Sequence, residues 1–238
     1  MSKPSLYIFT DFDGTITIDD LGDTMFEVFG AFSTYAPQLA SGVLSVPEYW
    51  RCLVASIHPG VTPKMLRAWA YQQPADPAFA PFVEFCRKNG IPLTVVSDGF
   101  DLYIDAVLER EGAADVPRFC NQLVLQGDSF VPVFPGQDES CSCFCASCKR
   151  NSILSSVPPD AVIIYIGDGY SDFCAAEHAD IIFAKKALAH YCNHHRLPHH
   201  LFSTFSDVQS LLKNIMQRKR LKHRYQAVLR RKWAFEAE

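Results

Sequence analysis

Leu6-Tyr7-Ile8-Phe9-Thr10-Asp11-Phe12-Asp13-Gly14-Thr15 decides how this chain is read. Four apolar residues run without alternation and stop at two acids one residue apart. A short unbroken apolar run reads as a strand buried on both faces, the habit of strands in a parallel sheet. Gly14 permits the sharp turn the chain then needs. Two carboxylates at i and i+2 leave such a loop on the same side. One carboxylate can attack phosphorus and form an acyl phosphate, which divides hydrolysis into two easier steps. The other can protonate a leaving alcohol and later activate water.

Three further apolar runs have the same form. Residues 91–96 end at Ser97-Asp98-Gly99, residues 162–166 at Gly167-Asp168-Gly169, and residues 181–184 at Lys185-Lys186. Helical stretches separate them. Residues 79–88 place Phe79, Phe82, Val83 and Cys86 on one face before Asn89-Gly90, a helix stop. Residues 102–111 group Ile104, Val107 and Leu108 before Gly112, and 172–178 form a shorter helical candidate. Strand–helix alternation predicts an α/β fold with an open parallel sheet and right-handed crossovers. Ligands in such sheets bind at the carboxyl ends of strands, so the polar residues ending these runs converge on one crevice.

The segment between the first two strands is too long for one crossover helix. It holds helical pieces at 21–29, 47–56 and 63–71, which predict an inserted helical cap. Apolar stretches around Gln126-Gly127-Asp128 predict a hairpin over 121–133. The expected organisation is a Rossmann-like core of residues 1–17 and 77–207, a cap of 18–76, and a basic amphipathic C-terminal helix over 208–238.

These motifs, in this order, resemble the haloacid dehalogenase superfamily. Asp11-Phe12-Asp13-Gly14-Thr15 resembles its first motif, Ser97 the hydroxyl of the second, Lys149 the lysine of the third, and Gly167-Asp168-Gly169-Tyr170-Ser171-Asp172 the acidic fourth. The resemblance implies a phosphomonoester phosphatase in which Asp11 is the nucleophile and Asp13 the acid and base. It implies Mg²⁺ held by Asp11, the Asp13 backbone carbonyl and Asp168, which suits an ion that prefers hard oxygen ligands. Asp172 would orient a metal-bound water or Lys149. Ser97, Asp98 and Gly99 would meet the substrate, with Ser97 and the Gly99 N–H on phosphate oxygens. Lys149 would lower the Asp11 pKa and stabilise the transition state. A large cap after the first motif is similar to the phosphoserine phosphatase-like branch. Cys145-Ala146-Ser147-Cys148-Lys149 and Phe183-Ala184-Lys185-Lys186 look most like the methionine-salvage phosphatases of that branch. Asp20 stands where phosphoserine phosphatase carries a glutamate for its substrate amine; it could equally cap the helix from Leu21. Phosphoserine hydrolysis and phosphotransfer to a second alcohol remain open beside a methionine-salvage ester.

Composition limits the alternatives. At 48% hydrophobic and 20% charged, the 238-residue chain has material for one large domain. No run reaches the roughly 18 apolar residues of a membrane span, and no targeting signal is visible. The expectation is a cytoplasmic enzyme acting on a small phosphorylated metabolite, with its oligomeric state open. Residues 213–232 carry nine Lys/Arg and no acid; with a net charge of −4, the rest carries −13. That basic stretch reads as an amphipathic helix, continuous or broken once, packed on the core with its charges in water, the alternative being a nucleic-acid surface. Cys141, Cys143, Cys145 and Cys148 read as a loop of thiols; zinc binding and redox control stay open. His190, His194, His195, His199 and His200 read as a solvated loop.

Overall fold

The computed structural model describes residues 5–138, 143, 145–218 and 220–236. The strands are β1 (Leu6–Thr10), β2 (Leu93–Phe100), β3 (Arg118–Gln126), β4 (Ser129–Val133), β5 (Val162–Gly167), β6 (Ile181–Ala184) and β7 (His200–Leu201). They form one sheet in the order β4-β3-β2-β1-β5-β6-β7, parallel except for the β3–β4 hairpin. The helices are α1 (Leu21–Phe29), α2 (Phe32–Ala40), α3 (Val46–Ala55), α4 (Pro63–Ala70), α5 (Phe79–Lys88), α6 (Asp101–Arg110), α7 (Lys149–Ser155), α8 (Phe173–His178), α9 (Lys186–His194), α10 (Phe205–Met216) and α11 (Tyr225–Glu236).

The unbroken apolar runs have a direct cause. Neighbouring residues of each strand enter two separate cores, one on each face. Ile8, Val95, Ile164 and Phe183 join one cluster; Phe9, Val96, Ile163 and Ile182 join the other. A strand sandwiched between helix layers has no polar face. Side chains of this size, fully buried, each contribute about 1.5–3 kcal/mol.

Helices α1, α3 and α4 are not a detached body. Met25, Phe26, Trp50, Leu53 and Leu66 belong to the same cluster as Ile8 and Val95. Helix α4 packs on α6, and α3 packs on β4. Arg51 lies over the Phe134 ring just beyond β4, 5.2 Å from its centroid. Helix α2 carries Pro37 and has no fully buried residue; Phe32, Tyr35 and Leu39 on one face pack only partly against the core.

One stretch differs from the sequence reading, and in another the structure shows the single break. The histidine-rich segment is α9 and β7 rather than a loop, because Leu188, Ala189 and Cys192 lie on one face and bury against the sheet. His190, His194 and His195 still point to solvent. The basic C-terminal stretch is two helices. In α10, Phe205 packs on Phe79 and Phe82 at ring distances of 5.2 and 5.1 Å. Helix α11 lies on α8. There Asp180 accepts from both Arg231 amino groups (3.1 and 3.2 Å) and from the Arg224 N–H (2.9 Å). The Arg224 side chain donates to the carbonyls of Ala176, Glu177 and Ala179. Part of the positive charge therefore fastens the chain end to the core. Among the described residues no helix is long and apolar enough to cross a membrane.

Candidate active site

β1 lies mid-sheet between β2 and β5, and the register brings their carboxyl ends level. Thr10 pairs with both Val95 and Ile166, so Asp11, Ser97 and Asp168 all emerge at the same edge. This is where the strand order changes direction, the crevice in which such sheets bind ligands. A cavity of about 280 Å³ opens there, lined among others by Asp11, Asp13, Asp20, Ser97, Asp98, Gly99 and Asp168. Helices α1 and α3 supply its far wall through Asp23, Tyr49 and Trp50.

Beneath the cavity floor sits a buried ion cluster. The Lys149 ammonium, 2% exposed, donates to Asp11 Oδ1 (2.6 Å), Asp172 Oδ1 (2.6 Å) and Ser171 Oγ (2.9 Å). An ammonium has three donors, so all of them are engaged. Asp172 is equally full. Its Oδ1 also accepts from the Tyr165 hydroxyl (2.5 Å), and its Oδ2 from the N–H groups of Asp168 (2.8 Å) and Gly169 (2.9 Å). Burial would lower the Lys149 pKa, but Asp11 and Asp172 outweigh it and hold the charge firmly on.

The Asp11 carboxyl stands well above the usual carboxylate range. Burial is the main cause, followed by repulsion from Asp172; attraction to Lys149 opposes both without reversing them. Lys149 lowers the Asp11 pKa as expected, but burial and Asp172 outweigh it. Asp13 is raised by burial and by its neighbours Asp20 and Asp11. Asp168 is raised by burial and by Asp172. Asp23, half-buried beside Asp20, is pushed up to about 7 by partial desolvation and by the Asp20 charge. So many carboxylates in one cavity are short of positive charge.

Asp13 is held at both oxygens. Oδ1 accepts from the Leu21 N–H at the start of α1 (2.9 Å), and Oδ2 from the Tyr103 hydroxyl (3.0 Å) and Ser97 (3.4 Å). Ser97 Oγ accepts from the Gly99 N–H at 2.9 Å, so these two groups satisfy one another here. Gly14 turns the chain at φ +67°, a left-handed conformation suited to glycine. A Cβ there would run into the Asp168 carboxylate and the Lys186 ammonium.

Asp98 faces two ways. It lines the cavity, yet its Oδ1 accepts from the N–H groups of Ala146 (2.6 Å) and Ser147 (2.7 Å), and its Oδ2 from Trp50 Nε1 (3.3 Å). The carboxylate thereby ties the loop before Lys149 to helix α3. Burial pushes its pKa up to about 6 against those donors. Asp20 caps α1 through the Asp23 N–H (2.9 Å) and also lines the cavity, so both readings of that residue describe its position. Its carboxylate is open to solvent from the cavity while protein surrounds it, and that enclosure raises its pKa.

Asp11, Asp168 and Asp172 bring carboxylate oxygens within 4.8 Å of one another, a set able to hold a metal ion. The oxygens of Asp172 are already occupied by donors. Asp11 Oδ2 and Asp168 Oδ1 accept no hydrogen bond among the described residues, and both are hard donors that suit Mg²⁺. Cys141 lies outside the described residues, so the four-cysteine set is not described. Several contributors carried no sequence signal. Trp50, Tyr103 and Tyr165 come from elements whose patterns announce only packing, whereas Lys186 ends the fourth apolar run and stands at the crevice as that ending implied. Ser171 stood inside the fourth motif and could have been read there.

A family profile described as haloacid dehalogenase-like hydrolase matches residues 8–177. The 2-hydroxy-3-keto-5-methylthiopentenyl-1-phosphate phosphatase of Brevibacillus brevis is 32% identical over 220 residues, covering 91% of this chain and 99% of that one. A polyol phosphate phosphatase of Saccharomyces cerevisiae is 30% identical, covering 88% of this chain and 93% of its own length. Among solved structures, a probable phosphoserine phosphatase from Vibrio cholerae superposes with a TM-score of 0.67 at 18% identity, over 97% of this chain and 67% of that one. A phosphoserine phosphatase solved as a phospho-aspartyl intermediate analogue gives 0.64 at 17% identity, over 89% of this chain and 99% of its own. At that identity the superpositions describe the fold.

Proposed function

This chain belongs to the haloacid dehalogenase-like hydrolases, and from that premise we propose that it hydrolyses a small phosphomonoester through a phosphoaspartate on Asp11. It is a phosphatase; the substrate, the covalent step and the residue roles are the proposal. One observation carries it. A buried ammonium fixes Oδ1 of Asp11 at 2.6 Å, leaving the second oxygen facing a cavity that Asp13 shares.

In the first step an Asp11 oxygen attacks phosphorus and the ester P–O bond breaks. Asp13 gives its proton to the departing alkoxide, so the alcohol leaves neutral. In the second step Asp13 takes a proton from water as that water attacks phosphorus. The Asp11–phosphorus bond breaks, and inorganic phosphate and the free carboxylate return. Ser97 and the Gly99 N–H exchange their mutual hydrogen bond for phosphate oxygens. Lys149, with its donors engaged, aims Asp11 and supplies fixed positive charge from below. Asp98 acts by anchoring the loop before Lys149. Mg²⁺ would be held by Asp11, Asp168 and the Asp13 carbonyl, and when bound it supplies charge neutralisation for the phosphoryl oxygens.

For the substrate, the relative from Brevibacillus brevis supports a methionine-salvage phosphate ester as the first candidate. A second reading, a polyol phosphate, is favoured by the Asp20, Asp23 and Tyr49 side chains on the cavity's far wall. Carboxylates placed there accept hydrogen bonds from substrate hydroxyls. The test is phosphate release from a panel holding a methionine-salvage ester, polyol phosphates and phosphoserine, with Mg²⁺ and with EDTA. Mg²⁺-dependent release ranks the substrates. No release from any ester refutes the reading.

A further inference from the structure

Among the described residues that line the cavity, Lys186 is the one lysine or arginine, set against Asp11, Asp13, Asp20, Asp23 and Asp168. Its ammonium lies 2.9 Å from Asp168 Oδ2 and 3.4 Å from the Gly14 carbonyl, and its side chain is 56% exposed. Lys149 cannot turn to an incoming ligand without giving up Asp11, Asp172 or Ser171. Lys186 has no such constraint. Its one short contact is an ion pair between a half-exposed ammonium and the buried Asp168 carboxylate, a single restraint on a long side chain.

The backbone adds an independent observation. Lys186 opens α9 at φ +46°, in the left-handed region that favours glycine. A non-glycine residue held there marks a position where the side chain is wanted, since strain of this kind collects at ligand clamps. Here the strained residue carries its charge onto the carboxylate proposed as an Mg²⁺ ligand. Lys186 holds Oδ2 of this carboxylate, whose Oδ1 is the proposed Mg²⁺ donor, and two cations on one carboxylate repel each other strongly.

We infer that Lys186 is the mobile cation of this site: a divalent ion arriving at Asp168 displaces its ammonium, which then holds the phosphate of the substrate. The inference rests on the phosphomonoester reading given above. It makes Lys186 a competitor of Mg²⁺ in the resting enzyme and a substrate ligand in the loaded one. No bond is made or broken at this residue.

The test uses Lys186→Met, which keeps the stem and the backbone strain, and Lys186→Gly, which relieves the strain. Mg²⁺ binding is measured by titration calorimetry without substrate, and steady-state kinetics with the best ester of the panel. Loss of a half-exposed competing charge should tighten Mg²⁺ binding roughly fivefold in both variants. Loss of a charge-assisted contact should raise KM roughly tenfold while kcat changes by less than about threefold. Mg²⁺ affinity that is unchanged or weaker, or an unchanged KM, in either folded variant overturns the inference. If the unaltered protein neither binds Mg²⁺ nor releases phosphate, the hydrolase reading falls and takes the inference with it.

Discussion

Asp172→Asn is nearly isosteric, yet the structure makes it a severe change. Oδ1 accepts from Lys149 and Tyr165, and Oδ2 from the N–H groups of Asp168 and Gly169. All four partners donate. Whichever way an asparagine amide turns, its NH₂ end meets two donors and loses both bonds. Hydrogen bonds to a charged group contribute about 1.5–3 kcal/mol each. Lys149, 2% exposed, also loses one of its two counter-ions. Breaking a buried pair costs about 3–5 kcal/mol, so both routes give about 3–5 kcal/mol. For a chain of this size each kcal/mol moves Tm by about 2–4 °C, which predicts a fall of roughly 6–20 °C. Asp11→Asn is the comparison: it also takes a counter-ion from Lys149, but its carboxylate takes one hydrogen bond and is disfavoured by burial and by Asp172 and Asp168, so relief of that repulsion offsets much of the loss. Thermal unfolding followed by circular dichroism compares the two variants with the parent. An Asp172→Asn protein melting within about 2 °C of the parent refutes the claim that this carboxylate organises the site.

Other outcomes follow from the same geometry. Asp11→Asn should abolish phosphate release, to below about one part in a thousand, while Tm stays within a few degrees; measurable turnover in the purified variant would disprove the nucleophile. Tyr103→Phe removes the hydroxyl 3.0 Å from Asp13 Oδ2 and should lower kcat about tenfold with little change in KM; a loss confined to KM would show that Tyr103 does not position the acid. His178 is buried, and burial lowers its pKa to about 4 from 6.5. The fold holds it neutral while the unfolded chain takes up a proton, so its contribution is complete above pH 6.5 and is lost as pH falls toward 4. Urea unfolding should show this as about 2 kcal/mol of stability lost between pH 6.5 and 4.5, and His178→Leu should remove that slope. An unchanged slope would assign the pH dependence to other groups.

The sequence by itself determined the architecture and the ends of the strands. Each run of buried apolar residues ends at a polar group, and a parallel sheet brings such ends to one edge whatever the loops do. That is why Asp11, Ser97 and Asp168 could be placed together before any coordinates. Their companions had no such local signature. Tyr103 lies on α6, read only for its apolar face, and Trp50 lies on α3 in the same hydrophobic cluster. Their polar atoms meet Asp13 and Asp98 because α3 and α6 pack against the sheet in one orientation, 48 and 90 residues away along the chain. The loop expected from His190 to His200 is helix up to His194 for a related cause, since polar and aromatic histidines mask a short apolar stripe until the sheet is there to bury it. Composition could count an excess of acid. Only the tertiary structure decided which carboxylates share a cavity, which are filled by donors, and that Lys149 is locked below by three partners while the more exposed Lys186 pairs with Asp168. Pattern along a chain fixes which residues are buried, whereas the pairing of charges depends on distances between elements that the chain does not encode locally.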